Sequence, residues 1–301
     1  MQPRSAVRLG WGAGHMFRKF ELLAYFVVIV FFIVRYANVD VDTDRRGASP
    51  GPGLPIPSAP HDPAVFLPDG AALPRDGNKP VLVELDPHAH NGVGTAFAVD
   101  GSGTFVTARH VIDGCTRVYL VHGRGLEPVV SVTSERNRDF AVIKAAEQNE
   151  FHLTLSEEAL NRGTEGFMMG YPQGDPADVR ATVIGRTEMR SSGRYRMREP
   201  VIAWVERERK PGFAGSLGGI SGGPVFDGEG NVVGTVVAGA PRRGRVYTTH
   251  PQVFDDTGLM DASRTGRTPT LDGGITARNY HRIGKAFRAS GAIKQVYCKV
   301  S

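Results

Sequence analysis

The run Gly219-Ile220-Ser221-Gly222-Gly223-Pro224 displays a serine on a stretch where almost no side chain crowds it. A serine hydroxyl is a weak nucleophile at neutral pH, so acyl transfer through it needs a base to take its proton and a group to orient that base. Upstream, Val106-Thr107-Ala108-Arg109-His110-Val111 offers His110, and Arg138-Asp139-Phe140-Ala141-Val142-Ile143-Lys144 offers Asp139. An imidazole titrates near neutrality and can act as the base. A carboxylate beside it would fix its tautomer and stabilise the imidazolium formed during attack. The glycines around Ser221 let backbone N–H groups converge on a developing oxyanion with no Cβ in the way. Taken singly, Ser221 also reads as a glycine-rich turn, His110 as a helix-start histidine and Asp139 as a strand-edge acid. Their joint occurrence in the order His, Asp, Ser favours the chemical reading.

On these three segments the chain, over roughly residues 81 to 260, resembles the trypsin-like (chymotrypsin-fold) serine peptidases. The resemblance implies His110 as base, Asp139 as its orienter, Ser221 as nucleophile, and the amides of Gly219 and Ser221 as oxyanion donors. It also implies an all-β fold of two six-stranded antiparallel β-barrels with the active site in the cleft between them. His110 and Asp139 would come from the first barrel and Ser221 from the second.

The G-x-S-x-G spacing equally fits the nucleophile elbow of an α/β-hydrolase, with Asp255 or Asp256 and His281 as partners. An elbow needs a helix directly after the serine. Here Val225-Phe226, the turn Asp227-Gly228-Glu229-Gly230-Asn231 and the apolar run Val232 to Ala238 read as a hairpin.

The elements that must position these residues are short strands. With 38 Gly and 20 Pro in 301 residues, turns punctuate brief apolar runs at Val81–Leu85, Gly94–Val99, Thr104–Thr107, Val118–Val121, Val129–Val132 and Phe140–Ile143. Gly166–Gly170, Val179–Ile184, Val201–Val205, Val225–Phe226 and Val232–Ala238 continue the style. The pattern suggests sandwich or barrel packing, and the resemblance implies a first barrel over about 81–165 and a second over about 166–260. A helix over about 276–296, carrying Tyr280, Ile283, Phe287 and Ile293, would complete a peptidase domain of 81–301.

Ahead of it, a basic segment (1–20) precedes the apolar core Leu22 to Val34, and Asp40, Asp42 and Asp44 lie beyond. Basic before and acidic after predicts an N-in signal-anchor helix over 21–37. A cleaved signal is the alternative, although Arg35-Tyr36-Ala37-Asn38 offers no small-residue cleavage site. Residues 38–80, rich in Pro and Gly, form a tether. This organisation puts the chain on a bacterial inner membrane, single-pass, with the catalytic domain in the periplasm, or free there after cleavage.

Net charge is +5, but Glu188, Glu199, Glu206 and Glu208 interleave with the basic run between Arg186 and Lys210. That pattern describes a solvated sheet face and predicts no nucleic-acid partner. His88 and His90 are an isolated pair, and no cluster has zinc spacing, so neither metal nor cofactor is expected. The two cysteines, Cys115 and Cys298, read either as a disulfide or as two separate buried thiols.

The residue before Ser221 is Ile220, where digestive relatives carry an Asp that pairs with a newly made N-terminal amine. Activation by N-terminal insertion is therefore not expected. The long N-terminal extension resembles bacterial envelope peptidases of this family, and too few residues lie beyond the last core strand for a PDZ domain. By position in the motif, Gly215 would form the base of the primary pocket, with Val237, Ala238 and Gly239 lining it and offering backbone to an extended peptide. No acid stands at the pocket base, so the expected preference is a small or medium apolar side chain. The expected function is a serine endopeptidase acting on envelope proteins or peptides. The alternative is a catalytically silent, membrane-tethered binding module on the same fold.

Overall fold

A computed structural model describes residues 80–240, 244–262, 267, 269, 271 and 273–300. The expected signal anchor and nearly all of the tether lie outside these residues. Among the described residues no helix is long and apolar enough to cross a membrane.

The first body is a closed barrel built from β2 (Gly92–Ala98), β3 (Thr104–Thr107), β4 (Arg117–His122), β5 (Gly125–Ser134), β6 (Ala141–Ala145) and β13 (Ile293–Lys299). Its order is β13-β2-β3-β6-β5-β4, with β13 pairing to both β2 and β4 to close it. Small inward residues such as Ala96, Ala98 and Ala141 leave room for Phe105, Leu120 and Ile143, all fully buried. That alternation of small and large is what a narrow barrel interior demands.

The second body is a seven-stranded sheet. Its strands are β1 (Val81–Leu85), β7 (Glu165–Gly170), β8 (Ala177–Gly193), β9 (Met197–Lys210), β10 (Pro224–Phe226), β11 (Val232–Ala240) and β12 (Arg245–Thr249), ordered β1-β8-β7-β10-β11-β12-β9. β8 pairs with β9 as well as with β7. The sheet's inner face packs Met168, Val179, Val183, Ile202 and Val246 around Trp204, whose indole N–H donates to Thr248 Oγ1 at 2.9 Å. Only a glycine fits at 166, because a Cβ there would lie 2.4 Å from the Trp204 ring. The α-helices are short: α1 (Arg109–Ile112), α2 (Val253–Asp256), α3 (Leu259–Ala262) and α4 (Tyr280–Ala289).

Two expectations need correction. Val81–Leu85 does not open the first barrel: β1 runs parallel to β8, Val81 opposite Met189 and Leu85 opposite Gly193. The expected helix over 276–296 ends at Ala289 as α4, and Ile293–Lys299 is a barrel strand instead. Gly291, at φ 76°, breaks the helix, and the sequence beyond alternates Val296 and Cys298 inward, which is strand periodicity. Pairing between neighbours in sequence suggests a first barrel complete by 165, whereas its closing strand comes from the far end of the chain.

The two bodies share a core in which Phe97, Val106 and Phe140 of the barrel meet Phe167, Phe226, Phe254, Tyr280 and Phe287. α4 is further tied to β8 by a buried cluster. Arg288 donates to both oxygens of Asp178 at 2.6 and 2.9 Å, and His281 Nδ1 lies 2.7 Å from Asp178 Oδ2. Cys115 and Cys298 are joined in a disulfide with Cα atoms 5.5 Å apart, fastening the turn after α1 to β13 within the first barrel. The basic run lies on the long β8–β9 hairpin, where Arg180 pairs with Glu165 and Glu208, and Arg209 with Glu206.

Candidate active site

Strand register brings His110 and Asp139 together. β3 and β6 are antiparallel with Thr107 opposite Ala141, so the chain just beyond β3 and the chain just before β6 emerge side by side. Three residues past Thr107 stands His110, on the single-turn helix α1. Two residues before Ala141 stands Asp139, 2 % exposed. Asp139 Oδ2 meets His110 Nδ1 at 2.5 Å, and Oδ1 accepts the His110 backbone N–H at 2.8 Å. This two-point grip fixes both the ring and the helix that carries it. Burial pulls the His110 pKa down, but the charge and hydrogen bond of Asp139 outweigh it, and the net shift is upward from 6.5.

The Asp139 carboxylate also accepts the Tyr195 hydroxyl at 3.1 Å. Tyr195 comes from the β8–β9 turn, its ring stacked under the Arg109 guanidinium at 3.8 Å, and Arg194 donates to the His110 carbonyl at 3.0 Å. Burial, and then the Asp139 charge, push the Tyr195 hydroxyl pKa strongly up, so it stays a donor. Behind Asp139, its backbone N–H donates to Glu199 Oε1 at 3.0 Å. Burial foremost, with the Asp139 charge, pushes the Glu199 carboxyl up to about 8, which favours its protonated form. Sequence reasoning passed over Tyr195 and put Glu199 on a solvated sheet face, whereas its side chain is buried against Asp139. Both sit within the charged β8–β9 hairpin, and only its pairing, with Met189 opposite Glu199, folds that tip onto the site.

The Ser221 segment docks onto the same barrel edge. Ser221 C=O accepts the Thr95 N–H at 2.9 Å. Gly222, at φ 85°, passes so close that a Cβ would lie 2.1 Å from the Thr95 carbonyl, 2.3 Å from Thr107 Oγ1 and 2.9 Å from the Ala108 nitrogen. Gly222 is therefore a requirement of close approach to the strand end that leads into His110, while at Gly223 a Cβ would lie 2.6 Å from the Met169 carbonyl. Among the described residues Ser221 makes no hydrogen bond to His110, a bond that in free enzymes is often long and tightens on substrate. The amides of Gly219 and Ser221 likewise donate to no other group among the described residues, as oxyanion donors must. The chain continues from Ser221 into β10 and β11, not into a helix, and the elbow's proposed partners are engaged elsewhere: His281 with Asp178, Asp256 with Arg138. Asp113 pairs with Arg109 and Arg194 and is no rival to Asp139 as orienter.

Beside Ser221 lies a cavity of about 120 Å³ whose walls include Leu217, Ile220, Val236, Ala238, Gly239 and Val246. Ala238 and Gly239 line it. Gly215 and Val237 do not. Val237 falls at a bulge between Val236 and Ala238 and is buried with Ala108, Met189 and Tyr247 on the other side of β11. Gly215, at φ 90°, lies by Gln173, with its carbonyl taken by Arg209. No group of His, Cys, Asp and Glu among the described residues is arranged to hold a metal ion.

No curated protein matches the chain in sequence. Among solved structures, the active form of the Rv3671c protease from M. tuberculosis is 16% identical, with 68% of this chain and 99% of that one covered and a TM-score of 0.47. The apo protease domain of MamO from Magnetospirillum magneticum is 18% identical (57% and 97% covered, TM-score 0.44). The HtrA-type protease AlgW with a decapeptide is 19% identical (56% and 52% covered, TM-score 0.44). The family model for the trypsin-like peptidase domain matches residues 94–234, a span that runs from β2 to β11 and holds His110, Asp139 and Ser221. Over residues 94–234 the chain thus matches a trypsin-like peptidase domain.

Proposed function

We propose that the protein is a serine endopeptidase working through His110, Asp139 and Ser221. The observation that carries this is the two-point hold of Asp139 on His110, with the Ser221 segment docked on the same strand end. Ser221 Oγ attacks the scissile carbonyl carbon as His110 Nε2 takes its proton, and the amides of Gly219 and Ser221 receive the oxyanion. Collapse expels the amine, which takes the proton back from His110. Water then repeats the sequence on the acyl-enzyme and frees the acid. The apolar walls of the 120 Å³ cavity suit a small or medium apolar side chain. Beyond Val236, β11 has no strand partner on the β10 side among the described residues, which leaves backbone for an extended peptide.

Because the base must be neutral and its pKa is raised, kcat/KM for peptide hydrolysis is expected to fall as pH drops through a value above 6.5. A pH–rate profile with its acid limb well below 6 removes His110 from the base role.

We place the domain on the outer face of a bacterial inner membrane, held by residues 21–37 through the tether 38–80, with envelope proteins or peptides as substrates. The support is the sequence: basic flank, apolar core, acidic flank and no small-residue cleavage site. Cell fractionation should find alkaline-resistant membrane association with Met1 or Gln2 retained. A soluble species starting beyond Ala37 sinks the anchor.

A further inference from the structure

An oxyanion hole works only if its N–H groups face the reacting carbonyl, so something must fix the orientation of the peptide planes before Ser221. In this chain two residues outside the triad grip consecutive planes. Gln173 holds the Gly218–Gly219 peptide, its backbone N–H donating to the Gly218 carbonyl at 2.5 Å. In a trans peptide C=O and N–H point oppositely, so the Gly219 N–H is turned away from Gln173. Thr95 holds the next peptide: its hydroxyl donates to the Gly219 carbonyl at 2.8 Å, while Ile220 N–H donates to the Leu217 carbonyl at 3.0 Å.

Both grips are built in. Thr95 is fully buried, and its hydroxyl also accepts the Tyr171 N–H at 3.1 Å, so its one proton is directed at Gly219. Gly170 must lack a side chain to admit that hydroxyl, since a Cβ there would lie 2.6 Å from it. Gln173 sits at φ 57°, the one non-glycine residue with positive φ among the described residues, a conformation that costs energy and that its surroundings must enforce. Its side chain reaches along the nucleophile loop, Nε2 donating to Ala214 C=O at 2.8 Å and Ser216 C=O at 3.0 Å. Gly219 itself, at φ 97°, would bring a Cβ to 2.4 Å from the Tyr171 carbonyl.

We infer that Thr95 and Gln173 are positioning residues for the oxyanion hole, clamping the 218–220 peptides so that the Gly219 N–H faces the reacting carbonyl. This rests on the serine-peptidase reading. Thr95→Val keeps the shape and removes the hydroxyl; Thr95→Ser keeps the hydroxyl. Gln173→Gly keeps the positive φ and the backbone donor and removes the side-chain hold, at an exposed position.

The test is steady-state hydrolysis of an acyl-tripeptide p-nitroanilide ending in Val by the full chain, with the fluorophosphonate labelling rate measured alongside. Expected are a kcat about ten- to a hundredfold lower for Thr95→Val, KM within about twofold, a labelling rate lowered in step, and Thr95→Ser near wild type. Gln173→Gly should lose kcat by about fivefold. An active wild type whose Thr95→Val and Gln173→Gly variants keep full kcat overturns the assignment alone. Loss of kcat that Thr95→Ser does not rescue, or a change confined to KM, also overturns it. Should Thr95→Val not fold, Gln173→Gly decides. A wild type that neither hydrolyses peptides nor takes the label overturns the peptidase reading and this assignment with it.

Discussion

Ser221→Ala is expected to lower peptide hydrolysis by at least about a thousandfold while leaving the thermal midpoint within a degree or two of wild type. The two halves of that expectation come from different parts of the structure. Activity falls because the hydroxyl is the only group on the docked segment that can attack carbon. Stability stays because the contacts that seat the segment are made by backbone and by glycines: Thr95 N–H to Ser221 C=O, Gly222 N–H to Val236 C=O, and Gly222 against the Thr95 carbonyl. Progress curves on a peptide substrate and a melting curve check both. Residual activity above about a tenth of wild type removes Ser221 as the nucleophile.

Asp139→Asn is expected to cost on the order of 10⁴ in kcat/KM. The carboxylate faces three donors: His110 backbone N–H, the Tyr195 hydroxyl and the His110 ring. An amide has only one oxygen. Turned so that its oxygen serves the backbone N–H and Tyr195, its NH₂ meets Nδ1 and forces the ring proton onto Nε2, where the base needs a lone pair. Turned the other way, its NH₂ faces two donors in a buried site, at about 1–3 kcal/mol of stability. A second readout separates electrostatics from disruption. Without the Asp139 charge, the burial that lowers the His110 pKa is no longer outweighed, so the acid limb of the remaining activity should move to lower pH. Wild-type activity in Asp139→Asn places the orienter elsewhere.

How much of the site and fold was legible in the sequence depends on the range of the interaction. Ser221 and its glycines are a local signal, because close approach to Thr95 and Thr107 leaves no room for a side chain at 222, and the carbonyls of Met169 and Ile220 leave none at 223. His110 and Asp139 were readable because each adjoins a short apolar strand, and antiparallel pairing of those strands suffices to join them. What escaped is long-range. β13 closes the first barrel by setting Gln295 opposite Val121 and Tyr297 opposite Tyr119, partners separated by more than half the length of the chain. The extent of β8 and β9 was hidden because alternating burial along them mixes charged and apolar residues, so only their apolar centres registered as strands. Tyr195, at the tip they carry, could be found only after that hairpin was folded.

The most direct test of the triad mechanism is covalent labelling of the full chain with an active-site-directed fluorophosphonate, then mass spectrometry of its peptides. Attack by Ser221 Oγ on phosphorus expels fluoride, with the proton passing to His110, and needs the same base and donors as peptide hydrolysis. One adduct is expected, on Ser221, absent from Ser221→Ala and strongly slowed in His110→Ala. A chain that hydrolyses peptides while Ser221 remains unlabelled, or that carries the adduct on another residue, would contradict the mechanism.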